Sequence, residues 1–222
     1  MIVGNGLIAN SLKPIDSEKI LFFASGVSNS SETRDSEFER EFSLLKNAVD
    51  HHQECQLVYF STLSVNDQTK QNSLYVLHKL KIENFIKNNC KKYTILRIGN
   101  VVGKGGNPNT LFNFLTEQIS DKKKFNLHTK ARRLLIDIDD IAGYLKFYQN
   151  PIQNTIINFS FPYYYSLKEI ISEIEINMST EADYEEVAEG DFYEIDFDDS
   201  IQNYFLSISP ENYLKRLTKK YI

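Results

Sequence analysis

The sequence predicts an α/β fold, in which a parallel β-sheet carries helices on both faces. Short apolar segments alternate along the chain with longer segments whose apolar residues recur at helical spacing. That alternation is typical of a parallel sheet, because each crossover between parallel strands needs a helix or a long connection. With 222 residues, the chain is long enough for one well-buried domain.

The first half of the chain supplies most of the predicted elements. Residues 1–3 form a short apolar strand that runs into Gly4. The next apolar segments predict strands over 19–24, 57–60 and 93–98. Segments with helical periodicity predict helices over 36–49 and 73–87.

The second half is less regular. We expect a loop over 101–106, a helix over 110–119 and an apolar segment at 134–136. Asp140 is a predicted N-cap for a helix over 141–148, since its carboxylate can accept free backbone N–H groups. The acidic stretch 181–199 predicts a solvated loop, and Ser209-Pro210 begins a last, basic helix.

Composition excludes several functional classes. The net charge of -5 and the pI near 5.5 argue against a nucleic-acid partner, which normally requires a basic surface. No apolar run reaches membrane-spanning length and no basic leader precedes an apolar core, so we expect a cytoplasmic protein without membrane contact. Two cysteines and four histidines show no metal-ligand spacing, so we expect reduced thiols and no metal.

Two motifs carry chemistry. The turn Gly4-x-Gly6-x-x-Ala9 joins a strand to a helix, and such turns let backbone N–H groups approach a pyrophosphate closely. Tyr75 and Lys79 lie four residues apart, on one face of a predicted helix. An ammonium beside a phenol stabilises the phenolate, so the tyrosine can exchange protons near neutral pH. The strand before that helix ends at Ser61-Thr62, which places a hydroxyl close by.

These residues resemble the Ser/Thr–Tyr–Lys triad of the extended short-chain dehydrogenase/reductase family, in its NAD-dependent epimerase/dehydratase branch. The resemblance places Thr62 at the catalytic Ser/Thr position. Further segments resemble family motifs in the same order: 23–27 the H-L-A-A/G strand end, 96–103 the L-R-p-x-N-v-y-G motif, 133–140 the R-d-f-i-h-V-d-D motif, and 158–167 the later N-i-g…y-S-l stretch.

The resemblance implies a Rossmann-like fold and a set of site residues. Thr62, Tyr75 and Lys79 would be catalytic, and Asn100 and Arg133 would bind substrate, with Arg133 on a phosphate. The residues implied to hold NAD or NADP are Gly4, Gly6, Leu7, Ile8, Ala24, Ser25, Gly26, Ser61, Tyr75 and Lys79.

The implied function is an NAD(P)-dependent reductase or epimerase that acts on a nucleotide-activated sugar, in bacterial surface polysaccharide biosynthesis. The shortness of the chain favours a ketoreductase. The alternative is a non-catalytic relative that binds a sugar nucleotide, a dinucleotide or a partner protein. The family also implies a homodimer through the helices near 36–49 and 73–87.

One departure from the family is large. Two strands and their helices are missing between the glycine turn and the strand at 19–24, where only residues 10–18 remain. Those strands carry the adenosine half of the cofactor site, so we expect weak or unusual dinucleotide binding. The loop from Thr62 to Tyr75 is also short for the family and the C-terminal substrate lobe is reduced, but neither change affects the triad. We predict a cofactor domain over 1–160 and a small C-terminal substrate lobe over 161–222.

Overall fold

A computed structural model describes residues 1–108, 110–148, 154–190 and 192–222. Its strands are β1 (Ile2–Val3), β2 (Ile20–Phe23), β3 (Gln56–Thr62), β4 (Tyr93–Ile98), β5 (Asn100–Val102), β6 (Phe125–His128), β7 (Arg132–Arg133), β8 (Leu135–Asp137), β9 (Thr155–Phe159), β10 (Tyr165–Ser166) and β11 (Tyr184–Val187). Its helices are α1 (Leu7–Ser11), α2 (Asp35–His51), α3 (Leu74–Asn89), α4 (Leu111–Ser120), α5 (Ile138–Phe147), α6 (Leu167–Met178), α7 (Asp199–Phe205) and α8 (Pro210–Tyr221).

The chain divides into two compact units. The first unit comprises Met1–Ile98 and Ile138–Phe159, and the second comprises Gly99–Asp137 and Ser160–Ile222. Residues 99–137 therefore lie in the second unit, although we expected them in the cofactor domain. The reason is strand pairing: β5 pairs with β8, within the second unit, instead of extending the sheet of the first.

The first unit contains a five-stranded parallel sheet in the order β1-β2-β3-β4-β9. This confirms the predicted Rossmann-like α/β fold. Within residues 1–108, which the structure describes without a gap, no strand lies between α1 and β2, and a short 3-10 turn over Lys13–Ile15 makes the connection. The predicted shortening of the first half is therefore confirmed.

Side chains alternate between the two faces of this sheet, as strand geometry requires. On one face, apolar residues of β2, β3 and β4 pack against α2 and α3. That cluster consists of Leu21, Phe23, Leu45, Val49, Leu57, Tyr59, Ile82, Ile86 and Ile95. On the other face, Phe22 and Val58 line a small cavity together with Leu145 of α5, and α1 packs against α5. Helices therefore cover both faces.

In its described residues, the second unit consists of short strand pairs and four helices. β5 pairs with β8 and β6 with β11 in parallel, whereas β7 pairs with β10 antiparallel. The C-terminal helix α8 is fixed by a buried carboxylate at the end of β8. Asp137 accepts hydrogen bonds from Lys220 Nζ at 3.0 and 2.9 Å and from the Tyr221 hydroxyl at 2.6 Å.

Three predictions about local structure are wrong. Asp140 is not an N-cap, because α5 begins at Ile138 and Asp140 lies in its first turn. There its negative charge interacts favourably with the helix dipole and stabilises the helix. Residues 101–102 are not loop, since they pair with β8. Part of the acidic stretch is strand β11, while Asp191 lies outside the described residues.

None of the helices in the described ranges is both long enough and apolar enough to cross a membrane.

Candidate active site

The glycine turn lies directly against the end of β2. Gly4 has φ +130°, and a Cβ there would stand 2.4 Å from the carbonyl oxygen of Ala24, so no other residue fits. The backbone N–H of Ala24 donates to Val3 O at 2.8 Å. The structure thus brings together the turn and the strand end that the sequence assigned to the cofactor.

The start of α1 is open. A Cβ on Gly6, the residue that precedes the helix, would meet no atom within 4 Å. Leu7 and Ile8 begin the helix and are half-buried. This surface leaves room for a bound group beside the backbone of the turn.

Tyr75 and Lys79 share one face of α3, as predicted. The Lys79 Nζ lies 5.7 Å from the centroid of the Tyr75 ring. Both side chains are buried, with 8% of Tyr75 and 2% of Lys79 exposed. Among the described residues, nothing forms a hydrogen bond with the Tyr75 hydroxyl, so that group keeps its hydrogen-bonding capacity for a ligand.

Thr62 is the last residue of β3, and its Oγ1 accepts a hydrogen bond from the Ser64 backbone N–H at 3.2 Å. It precedes a 3-10 turn, Leu63–Asn66, whose Val65 packs in the same apolar cluster as Tyr75. The hydroxyl can still donate to a ligand, because the bond to Ser64 uses only its acceptor capacity.

The Lys79 ammonium is held by a carboxylate that was not predicted from the sequence. Glu41 of α2 is fully buried, and its Oε1 accepts from Lys79 Nζ at 2.9 Å and from the Tyr59 hydroxyl at 2.7 Å. Its Oε2 accepts from the Val27 backbone N–H at 2.7 Å and lies 3.0 Å from His78 Nε2. Because a carboxylate only accepts, His78 Nε2 carries the hydrogen in this contact.

These contacts keep Glu41 ionised. Burial alone would raise the pKa of the Glu41 carboxyl, but the charge of Lys79 and the hydrogen bonds from His78, Val27 and Tyr59 outweigh it and lower the pKa to about 2. Burial, followed by the Glu41 charge, raises the pKa of Tyr59 well above its ordinary value, so Tyr59 acts as a neutral donor.

Gly26 passes beside this ion pair. A Cβ on Gly26 would stand 2.8 Å from Lys79 Nζ and 3.0 Å from Glu41 Oε1. The absence of a side chain at this position therefore allows the ammonium and the carboxylate to meet under the backbone of the 24–27 segment.

Ser61 takes part in a second buried contact. Its hydroxyl donates to Glu83 Oε1 at 2.7 Å, and Arg97 binds the same carboxylate through two bonds of 2.9 and 2.6 Å. The Ser61 hydroxyl is thus engaged within the first unit.

Asn100 and Arg133 belong to the second unit. The Asn100 side chain donates from Nδ2 to Leu134 O at 3.1 Å. Arg133 lies in β7 and donates from Nη1 to Arg132 O at 2.8 Å. The catalytic and cofactor residues named from the sequence lie in the first unit.

Glu41, Tyr59 and His78 were all missed at the level of sequence. A signal for Glu41 was present, because Phe38, Leu45 and Val49 recur around it at helical spacing and mark the buried face of α2. A carboxylate on that face indicates an internal partner. Within the described ranges, no three His, Cys, Asp or Glu side chains are grouped so that they could hold a metal ion.

Comparison with known proteins gives the same fold. UDP-glucose 4-epimerase from Thermus thermophilus in complex with NAD has a TM-score of 0.69 and 12% identity, over 91% of this chain and 77% of that one. RMD from Pseudomonas aeruginosa complexed with NADPH has a TM-score of 0.70 and 13% identity, over 91% and 80%.

UDP-glucuronic acid 4-epimerase from Bacillus cereus, in complex with UDP-glucuronic acid and NAD, has a TM-score of 0.69 and 20% identity, over 91% of this chain and 73% of that one.

None of the curated proteins matches the sequence. The model of the NAD dependent epimerase/dehydratase family matches residues 16–158, which is more than half of the chain. The chain therefore belongs to the NAD-dependent epimerase/dehydratase family.

Proposed function

We propose that this protein is an NAD(P)-dependent reductase or epimerase that acts on a nucleotide-activated sugar. The observation that carries the proposal is the pairing of Tyr75 and Lys79 on one face of α3, with the Tyr75 hydroxyl unoccupied by the described residues. Membership of the family supports this reaction class. The names of the structural relatives, two UDP-sugar epimerases among them, support the substrate class. A role in polysaccharide biosynthesis is part of the proposal.

In the proposed reaction, Tyr75 donates a proton to a sugar carbonyl oxygen, or takes one from a sugar hydroxyl. Thr62 donates a hydrogen bond to the same oxygen and stabilises the charge that develops there. Lys79 stands beside the Tyr75 ring and would hold the bound dinucleotide. The nicotinamide, when bound, supplies or accepts the hydride at the sugar carbon, and reduction of a keto sugar is the favoured direction.

The residues of the first unit fit a nicotinamide dinucleotide. The open position at Gly6 and the close approach of Gly4 to Ala24 provide the backbone surface that a pyrophosphate needs. Because no strand lies between α1 and β2 within residues 1–108, we propose that the adenosine half of the site is reduced. The chain should then bind dinucleotide weakly, and its affinities for NAD and NADP should differ only slightly. Both cofactors occur among the structural relatives.

Arg133 is the proposed phosphate ligand of the sugar nucleotide, and Asn100 a proposed second substrate contact. A guanidinium suits a diphosphate because it donates two parallel hydrogen bonds. We also propose a homodimer through α2 and α3, which is supported by the exposure of Leu74 and Leu77 on α3.

Two measurements test the proposal. The first is mass spectrometry of the small molecules that co-purify with the protein, released by gentle denaturation. The second is fluorescence titration with NADH and NADPH, with and without a UDP-sugar, on the wild type and on Arg133→Ala. We expect weak binding of both cofactors, and a loss of UDP-sugar affinity in Arg133→Ala of about 1.5–3 kcal/mol. Tight binding of one cofactor and rejection of the other would contradict the proposed weak selectivity.

A second candidate function is a non-catalytic binding protein with the same fold. The observation that favours it is the burial of Lys79, whose charge Glu41 already balances. This candidate predicts that a sugar nucleotide or a dinucleotide binds without any hydride transfer between them. Hydride transfer from NADH or NADPH to a nucleotide-activated sugar would exclude it.

A further inference from the structure

The buried contacts around Lys79 leave its ammonium with little freedom. An ammonium has three N–H donors, and here one points to Glu41 Oε1 and one to the Tyr59 hydroxyl at 3.1 Å. No acceptor for the third donor is found in the described parts of the chain. The ammonium also lies over the faces of both Tyr59 and Tyr75, at 5.3 and 5.7 Å from the ring centroids.

The Glu41 carboxylate balances the charge of the Lys79 ammonium inside the protein. Glu41 is fully buried and ionised, and the four donors around its two oxygens fill its capacity as an acceptor. The carboxylate is therefore anchored from three sides: by the backbone at Val27, by Tyr59 of β3 and by His78 of α3. An anchored carboxylate fixes the position of the lysine that binds to it.

We propose that Glu41 is the positioning residue of this site, because it holds the Lys79 ammonium so that a single N–H is left for a ligand. Since Glu41 also balances the charge of Lys79, the ligand that this N–H binds is an uncharged hydroxyl or carbonyl oxygen. The inference rests on the proposed function, in which Lys79 serves a bound dinucleotide and Tyr75. An anion would gain little at a balanced ion pair, whereas a neutral oxygen needs only the one donor.

The test uses Glu41→Gln, which keeps the shape of the side chain and removes its charge. The matched control is Glu83→Gln, which removes another buried carboxylate of the same unit, the one that binds Arg97 and Ser61. Both variants should lose stability, because one leaves the buried Lys79 and the other the half-buried Arg97 without its carboxylate partner. Only Glu41→Gln should change the rate at which the Lys79 amine is acylated.

The direct readout is acylation of lysines in the apo protein by acetyl N-hydroxysuccinimide, quantified on the Lys79 peptide by mass spectrometry. In the wild type and in Glu83→Gln, Lys79 should be protected. In Glu41→Gln the unpaired buried ammonium gives up its proton more readily, and the neutral amine is the species that reacts, so we expect labelling about tenfold faster. Glu41→Asp, which keeps the charge, should restore most of the protection.

Inorganic sulfate tests the second half of the proposal. Sulfate should slow the labelling of Lys79 in Glu41→Gln, where an anion can replace the missing charge, and should leave the wild-type rate unchanged. If sulfate protects both proteins or neither, Glu41 does not select the ligand by charge, and that part of the proposal is overturned.

NADH titration separates positioning from stability. We expect Glu41→Gln to lose about tenfold in NADH affinity, while Glu83→Gln stays within about twofold of the wild type. Equal affinity of Glu41→Gln and the wild type, or equal losses in both variants, would overturn the positioning role. If the wild type binds neither NADH nor NADPH, the proposed function fails, and the labelling experiment still decides whether Glu41 positions Lys79.

If Glu41→Gln does not fold, Tyr59→Phe takes its place. It keeps the ring but removes the second acceptor of Lys79 and one donor to Glu41. Faster labelling of Lys79 in Tyr59→Phe supports the proposal, and an unchanged labelling rate contradicts it.

Discussion

One buried carboxylate, Glu41, holds the Lys79 ammonium of the candidate active site in place. Glu41 accepts hydrogen bonds from a lysine, a histidine, a tyrosine and a backbone N–H, and one N–H of Lys79 has no acceptor among the described residues. Removing one partner of such a pair leaves the other charge buried and uncompensated, which costs more than removing both. The pair is therefore best tested through both of its members.

The first prediction is a coupling between Glu41 and Lys79. Glu41→Gln and Lys79→Met should each lower the free energy of unfolding by about 3–5 kcal/mol, because each leaves an unpaired buried group. The double variant should lose clearly less than the sum of the two, since it removes both charges together. Urea unfolding of the four proteins measures this, and additive losses would show that the two side chains do not interact.

The second prediction concerns acid. The pKa of Glu41 is lowered from 4.5 to about 2 in the folded protein, so its stabilising contribution is complete above pH 4.5 and is lost as the pH falls through 2. Because lowering a pKa by one corresponds to about 1.4 kcal/mol, the contribution is on the order of 3 kcal/mol. Between these pH values the wild type should lose more stability than the double variant Glu41→Gln/Lys79→Met. Parallel acid curves for the two proteins would contradict the assignment.

The residue pattern explains which members of the site were predictable. Tyr75 and Lys79 lie one helical turn apart, so their spacing is visible in the sequence, and Thr62 is marked by the end of an apolar strand. Glu41 and Lys79 are separated by 38 residues. Their contact depends on how α2 and α3 pack on the sheet, and no local spacing encodes it.

At the element scale, the glycine turn has two separable roles. Gly4 is required by the backbone, because φ +130° and the contact with Ala24 O exclude any Cβ. Gly6 faces open space, so no contact within the described protein requires a glycine there. Its lack of a side chain leaves this space available to a ligand.

The third prediction follows from this contrast. Gly4→Ala should lower the free energy of unfolding by at least about 2 kcal/mol, since a side chain is strained there and collides with β2. Gly6→Ala should cost less than about 1 kcal/mol, the range for an unfavourable N-cap, but should weaken NADH binding. Thermal unfolding and fluorescence titration of both variants test it. A stable Gly4→Ala protein would contradict the described turn.

Long periodic elements were predictable and short ones were not. β4 was predicted at its observed limits, and α2 and α3 were predicted within two residues at either end, because their apolar residues recur over several turns. β7 and β10 have two residues each, too few for any periodicity, and they exist because they pair with each other. β11 is acidic and was predicted as a solvated loop, since its pairing with β6 is invisible in its composition.

At the scale of the whole molecule, the chain combines the proposed triad with a shortened sheet. β1 stands next to β2 with no intervening strand, at one end of the five-strand order. The family match and the parallel sheet agree with the resemblance read from the sequence, whereas the division into two units at residues 98, 137 and 159 follows from strand pairing that the sequence does not reveal.

The fourth prediction concerns the proposed homodimer. Leu74 and Leu77 lie one turn apart on α3 and are 49% and 48% exposed, so they form an apolar surface that a second copy can cover. Sedimentation should show a dimer for the wild type and a monomer for Leu77→Asp, because burying the new charge is unfavourable. A wild type that stays monomeric at all tested concentrations would contradict the proposal.

Deuteride transfer decides whether Tyr75 serves as the acid in a hydride-transfer reaction. The wild type and Tyr75→Phe are incubated with NADH or NADPH that carries deuterium at the transferred position and with a panel of nucleotide-activated keto sugars, and the products are weighed by mass spectrometry. We predict that the wild-type product is one deuterium heavier than the product formed with unlabelled cofactor. Tyr75→Phe should fold normally and form this product on the order of a hundredfold more slowly. Equal rates for the two proteins would show that Tyr75 is not the acid.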